Sequence, residues 1–457
     1  MRIGNVQFWK TQFRKGRRKP YQVRWTVDSR PFHLSYLTSA LAEQFRNDLV
    51  AAARRGEHFD VDANGLPPSM RPELKAVTWY EFVRSYAAMK WPEAAGNSRR
   101  NAASGLTRIT LFMLSSPYEK ANEAALRNAL RHWALRPVDE AAIPAEQAEL
   151  LAWVAERSLP ITNLNELDTL RQLLRILGTL DNGSMAKPST LARHRAVLTN
   201  ALNYAVERGL LEHNPVDRLA WRPPTLPRQI DPRVVASPRQ VRDLLTAVTY
   251  VGVWEKQRGP RLEAFFACMY YAGLRPEEVV ALREQDCKLP EAGPGLLMLS
   301  NATTRVGGAW TDDGKKHETR GLKHRAKGDG RDVPIPPKLV RALHEHMRKF
   351  GTAKDGRLFP GPQGQALDST RYLDTWAKAR ELALPPHLAS SRLAGRPYDL
   401  RHAALSLWLN SGVPAPEVAR RAGNTVPILL QTYARCIHGQ EDTDTQRIID
   451  ALGEDDS

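Results

Sequence analysis

Tyr398-Asp399-Leu400-Arg401-His402 is the stretch on which the reading of this chain turns. It opens an apolar-periodic segment that predicts a helix. Tyr398 and Arg401 are three positions apart, so they share one face of that helix. Leu400, Ala403, Ala404 and Leu407 supply its apolar side, and Gly412 is placed to end it in the left-handed conformation. Gly423-Asn424 follows Arg401 by 22 and 23 residues, and Tyr433, within Gln431-Thr432-Tyr433-Ala434, follows it by 32. Far upstream, Tyr271-Ala272-Gly273-Leu274-Arg275-Pro276-Glu277-Glu278 closes one helix and opens another. Pro276 suits the first position of a helix, and Glu277 and Glu278 suit its first turn, where the macrodipole favours carboxylates. Arg275 therefore stands at an end that also welcomes an anion.

An arginine keeps its charge and presents a planar fork that matches two phosphate oxygens at once. Two arginines converging on a phosphate, with the Tyr433 hydroxyl placed to attack it, would make a phosphotyrosyl intermediate. Covalent catalysis of this kind splits one transfer into two nearly isoenergetic steps. The bond energy stays in the ester, so the chemistry calls for neither ATP nor a metal, and no cofactor is expected. His344 and His346 fall on different faces of a predicted helix and do not suggest a metal site. No Walker A loop or GxGxxG fingerprint occurs.

This order and spacing resemble the tyrosine recombinases, the lambda-integrase family. The resemblance implies a site-specific DNA recombinase that cleaves and rejoins DNA through a 3′-phosphotyrosyl intermediate, integrating or excising a mobile element. It implies Tyr433 as nucleophile, Arg275 and Arg401 as the phosphate clamp, Tyr398 and Asn424 as further catalytic positions, and Glu278 and His402 in support. Two positions depart from the family pattern. Tyr398 stands where most relatives have histidine, and a phenol with a reference pKa near 10 is a poor base at neutral pH. Asn424 stands where histidine or tryptophan is usual; its amide can bond an oxygen but cannot exchange a proton usefully. The string Tyr-Asp-Leu-Arg-His is similar to a variant of some actinobacterial phage and integrative-element integrases. The family's lysine, which protonates the leaving 5′-oxygen, lies on a β-hairpin. Lys323, expected on the incoming strand, is the preferred candidate. Lys327, followed by the turn residues Gly328-Asp329-Gly330 at an expected hairpin tip, is the alternative.

The rest of the chain fits a nucleic-acid partner. Its 457 residues are enough for about three domains, and its net charge of +16 favours phosphate neutralisation and electrostatic steering. Cys268, Cys287 and Cys436 show no CxxC spacing, which suggests a reducing compartment without a disulfide framework. No run of about 18 apolar residues occurs, so no membrane association and a cytoplasmic location are expected. The expected fold is multidomain and mainly α with small β-sheets. Residues 1–65 alternate like short strands at Val6-Gln7-Phe8-Trp9 and from Tyr21 to Val27, with a basic turn at Gly16–Pro20 and a helix near 39–55 carrying Leu41, Phe45 and Leu49. Trp9, Trp25, Phe32 and Tyr36 suit a small-sheet core. Gly65-Leu66-Pro67-Pro68-Ser69 reads as a linker. Residues 75–218 are helical in pattern, with a long amphipathic helix over 190–211 stopped by Asn214-Pro215. Arg99, Arg100, Arg193, His194 and Arg195 lie where a bundle could grip a duplex. A second linker covers 222–227. Residues 230–457 are mostly helical, with strands near 297–299 and 331–336.

By the resemblance, these blocks correspond to an arm-site DNA-binding domain, a helical core-binding domain and a mixed α/β catalytic domain. It also implies double-stranded attachment-site DNA, a homotetramer on that DNA, an excisionase or host DNA-bending factor, and docking of residues 441–452 on a neighbouring protomer. Two other readings use the same residues. One is a decayed, non-catalytic integrase-like DNA-binding protein, favoured by Tyr398 and Asn424. The other is a type IB topoisomerase-like enzyme, disfavoured by the separate N-terminal and core-binding blocks.

Overall fold

The computed structural model describes residues 2–3, 5–61, 64–70, 77–116, 122–180, 183–220, 229–254, 257–323, 328–436, 445 and 449–450. Lys327, the 222–227 linker and nearly all of 441–452 lie outside the described residues. The chain divides into two compact units, 1–93 with 101–223 and 94–100 with 224–457.

The first unit begins with β1 (Arg2–Ile3), β2 (Val6–Phe8), β3 (Gln12–Phe13), β4 (Tyr21–Val27) and β5 (Arg30–Tyr36). β4 pairs antiparallel with β2, β3 and β5. Alternation along β4 turns Val23, Trp25 and Val27 inward. Helix α1 (Ser39–Arg54) covers that face and is capped by the Thr38 hydroxyl, which accepts from the Leu41 N–H. Its buried stripe runs Ala42, Phe45, Leu49, Ala52 at intervals of three and four. Leu41 falls one position off that stripe and is 49% exposed, against expectation. The expected linker at 65–69 is instead packed onto this sheet. Trp25 Nε1 donates to the Gly65 carbonyl at 2.7 Å, and Leu66 and Met70 join the same core.

The helical part of this unit contains α2 (Trp79–Lys90), α3 (Gly96–Phe112) from residue 101 onward, α4 (Glu123–Ala129), α5 (Ala145–Arg157), α6 (Leu167–Leu177) and α7 (Pro188–Glu207). α7 stops earlier than expected. Gly209, at φ +68°, turns the chain, and Asn214 folds back to donate to the Thr199 carbonyl and Asn203 Oδ1. Two of the cations expected to face a duplex are buried. His194 places Nδ1 3.3 Å from the Leu177 carbonyl. Arg99, in the second unit, donates to the Trp310 carbonyl and pairs with Asp312.

The second unit contains α8 (Pro238–Val248), α9 (Pro260–Tyr271), α10 (Pro276–Ala281), β6 (Cys287–Lys288), β7 (Gly295–Leu299), β8 (Asn301–Arg305), β9 (His317–Gly321) and β10 (Arg331–Ile335). Then follow α11 (Pro337–Phe350), α12 (Ser369–Ala383), α13 (Pro386–Ala389), α14 (Tyr398–Asn410), α15 (Ala415–Ala422) and α16 (Val426–Tyr433). Helix α9 is apolar almost all round and buries Leu262 through Tyr270 apart from Glu263, so it forms the centre of the core. It packs against α8, α11 and α14. The two strands expected near 297–299 and 331–336 pair with each other, Arg331 opposite Leu299 and Ile335 opposite Gly295. β8 and β9 form a separate hairpin. β9 and β10 therefore belong to different sheets, and Gly328-Asp329-Gly330 is not the tip of a hairpin. On α14, Leu400, Ala403 and Ala404 are buried as expected. Leu407 is partly exposed, and Leu405 takes the buried place. Among the described residues, no helix is long and apolar enough to cross a membrane.

Candidate active site

The site is built where the ends of α9 and α15 meet the starts of α10, α14 and β10. Gly273 allows the turn out of α9. Its φ is +61°, and a Cβ there would lie 2.9 Å from the Trp408 ring. Arg275 then caps α10 in extended conformation, with Pro276 at the first helical position. Glu278, three residues on, accepts the Arg275 N–H at 2.8 Å and its Nη1 at 3.0 Å.

Glu278 is also gripped by a residue the sequence reading did not single out. Arg331, opening β10, donates Nη1 and Nη2 to the two Glu278 oxygens at 2.7 Å each, and its Nε donates to the Arg421 carbonyl. The signal was present in the sequence. Arg331 is in phase with the inward-facing Val333 and Ile335, so an arginine on that face requires a buried partner. Glu278 is 2% exposed. Burial alone would raise its pKa, but the hydrogen bonds and charge of Arg331, joined by Arg401 and Arg275, outweigh it and hold the carboxyl at about 2.

Arg401 reaches inward from α14 and is 1% exposed. It donates Nη2 to the Ala422 carbonyl at 2.6 Å and Nη1 to the Gly273 carbonyl. Burial and then the charge of Arg275 lower its pKa, and Glu278 opposes them only in part. Arg275 Nη2 completes the arrangement by donating to the Gly423 carbonyl at 3.0 Å and to Asn424 Oδ1 at 2.9 Å. Gly423 ends α15 in the left-handed conformation, and a Cβ there would lie 2.9 Å from Arg331 Nη1. Three guanidiniums, of Arg275, Arg331 and Arg401, thus surround the single carboxylate of Glu278, which leaves two positive charges in excess. A buried excess of this kind is relieved by an anion.

Tyr398 lies beside the clamp, close enough for its hydroxyl to bear on the charge of Arg275. The start of α14 is fixed by buried Asp399, which accepts the Arg396 N–H at 2.9 Å and its Nη2 at 3.0 Å. Tyr433, at the end of α16, is 2% exposed, and its hydroxyl lies 2.9 Å from His402 Nδ1. Burial pushes the Tyr433 hydroxyl above the usual phenol value, with Arg401 pulling in the opposite direction. The His402 ring also packs edge-on against Tyr398, with centroids 5.0 Å apart. Arg275, Glu278, Tyr398, Arg401, His402, Asn424 and Tyr433 are therefore brought together. Lys323 is not on a strand: the β8–β9 ladder ends at Gly321, and Lys323 is exposed two residues beyond it.

Sequence comparison bears on what this site belongs to. A tyrosine recombinase XerC-like protein of Caldanaerobacter subterraneus subsp. tengcongensis is 22% identical over 259 residues, covering 53% of this chain and 61% of that protein. The match thus spans less than two thirds of that relative's length. Tyrosine recombinase XerC of Chromohalobacter salexigens is 27% identical over 271 residues, covering 58% of this chain and 75% of that protein. Among solved structures, the Tn1549 transposon integrase with a circular intermediate DNA aligns at a TM-score of 0.46 and 16% identity, over 72% of this chain and 98% of that one. No family model matches. Over 53–58% of its length the chain is thus similar to proteins named as tyrosine recombinases.

Proposed function

We propose that the protein is a site-specific DNA recombinase that breaks and rejoins strands through a 3′-phosphotyrosyl bond on Tyr433. The observation that carries this reading is the buried excess of guanidinium charge around Glu278, next to a tyrosine hydroxyl already hydrogen-bonded to an imidazole. The scissile phosphate supplies the missing anion. Arg275 and Arg401 stabilise the charge that builds on the phosphorane-like transition state. Asn424 accepts from Arg275 and so orients the clamp, and Tyr398 lies beside it. Lys323 or Lys327 protonates the departing 5′-oxygen.

In this reading residues 1–65 form the arm-site domain, 75–218 the core-binding domain and 230–457 the catalytic domain. The protein works as a homotetramer on paired attachment sites, with an excisionase or host bending factor setting direction. The test is covalent capture. A nicked suicide duplex, isolated from a randomised pool by its covalent capture on wild-type protein, should give a denaturant-resistant adduct. Tyr433→Phe should bind the same duplex and form none. A persisting adduct in the Phe variant would assign the nucleophile elsewhere. Absence of any adduct from wild type, with DNA binding intact, would make the protein a non-catalytic binder.

A further inference from the structure

Cleavage requires the Tyr433 hydroxyl to lose a proton, and the residue at the family's histidine position is a phenol. A phenol is a poor proton acceptor, and the Tyr398 ring packs edge-on against His402 beside the phosphate clamp. One helical turn further along α14, on the same face, stands His402. Its Nδ1 is 2.9 Å from the Tyr433 hydroxyl, within reach of direct proton transfer. We propose that His402 is the general base of this site: it takes the Tyr433 proton on Nδ1 and replaces the missing family histidine from the neighbouring turn.

The step balances within the site. The Tyr433 Oη–phosphorus bond forms as the phosphorus–O5′ bond breaks. The phenolic proton moves to His402 Nδ1, and the leaving O5′ takes a proton from the ammonium of Lys323 or Lys327. On rejoining, the incoming 5′-hydroxyl returns its proton to that lysine, and the imidazolium returns its own to the departing phenolate. The groups facing His402 fit this role. Tyr398, Arg396 and Arg401 face it from its own helix and the preceding loop, and Tyr433 faces it from α16. Burial first, then Arg396 and Arg401, hold the imidazole pKa down to about 3, so in the free protein the ring is neutral and its lone pair is available. A phosphodiester docked on Arg275 and Arg401 offsets that field and raises the basicity of the ring when it is needed.

The inference rests on the strand-transfer reading, and the experiment separates the two. Single-turnover cleavage of the captured suicide duplex is followed from pH 6 to 9 for wild type, His402→Gln and His402→Ala. A glutamine side chain at this position can accept the Tyr433 hydrogen bond but cannot take its proton. Wild type is expected to cleave with little pH dependence. His402→Gln should bind the duplex as tightly yet cleave about 10²-fold or more slowly at pH 7, with a rate that climbs in proportion to hydroxide. Added imidazole should restore part of the rate to His402→Ala, and this arm decides if the Gln variant does not bind. Unchanged or faster cleavage by His402→Gln, or a uniform loss with the wild-type pH profile and no imidazole rescue, overturns the assignment while leaving the recombinase reading intact. A wild type that forms no adduct sinks both.

Discussion

At the scale of single residues, the decisive feature is that one carboxylate serves three guanidiniums. Glu278 is worth more to this site as an organiser than its place on a short helix would suggest. Removing one partner of a buried ion cluster costs about 3–5 kcal/mol, so Glu278→Gln should lower stability by that order in urea unfolding. The same residue sets a pH dependence. Its folded pKa, about 2, lies below the ordinary 4.5. Its contribution is therefore complete above about pH 4.5 and is lost as pH falls toward 2. The window corresponds to on the order of 3 kcal/mol. Wild type should lose stability across it, and Glu278→Gln should show a shallower slope; parallel slopes would mean that the carboxylate is not held as described. Asn424 carries less. Asn424→Ala removes one hydrogen bond to a charged group and should slow cleavage by the equivalent of about 1.5–3 kcal/mol. Arg401→Ala should lose far more, and equal losses in a single-turnover assay would contradict this ranking.

At the scale of elements, α14 brings Tyr398, Arg401 and His402 to one place, α10 presents Arg275 on Glu278, and α16 delivers Tyr433. The helices were legible because each carries its own punctuation: Pro276 at a helix start, Gly412 and Gly423 past helix ends, and apolar residues at helical spacing. The candidate set that the fold brings together was legible from the spacing of Arg275, Arg401, Asn424 and Tyr433 along the chain. Arg331 was not, since its partner lies 53 positions away and only the alternation of β10 hints at it. The His402–Tyr433 contact was hidden for the same reason, being a pairing between helices rather than within one. Strand pairing also escaped the local pattern: Gly328-Asp329-Gly330 has turn chemistry, but the partners of β9 and β10 are β8 and β7. That topology leaves the lysine open to a direct comparison. The residue that protonates the 5′-oxygen should lose about 10²-fold in cleavage when changed to alanine, and a 5′-thio leaving group should rescue that variant alone. Lys323→Ala and Lys327→Ala assayed side by side identify which residue it is. Full activity in both would remove these two lysines from the mechanism.

At the scale of the whole molecule, the net charge of +16 favours the polyanionic partner that the proposed function requires. The N-terminal sheet keeps its own core of Val23, Trp25, Val27 and Leu49, and that core extends to Leu66 and Met70. A truncation at 65 would therefore cut into a packed edge, and removal of residues 1–70 is the cleaner experiment. It should leave cleavage of a minimal core duplex intact, abolish recombination between full attachment sites and reduce the salt slope of DNA binding. Equal recombination by the truncated chain would exclude an arm-site role for this block. The proposed function turns on a covalent bond between DNA and Tyr433. The direct test is to trap wild-type protein on the nicked suicide duplex, digest the DNA and the protein, and map the residual nucleotide by mass spectrometry. The expected result is a nucleotide joined through its 3′-phosphate to Tyr433, with a free 5′-hydroxyl on the released strand. A nucleotide on any other residue, or a 5′-phosphate linkage, would contradict it.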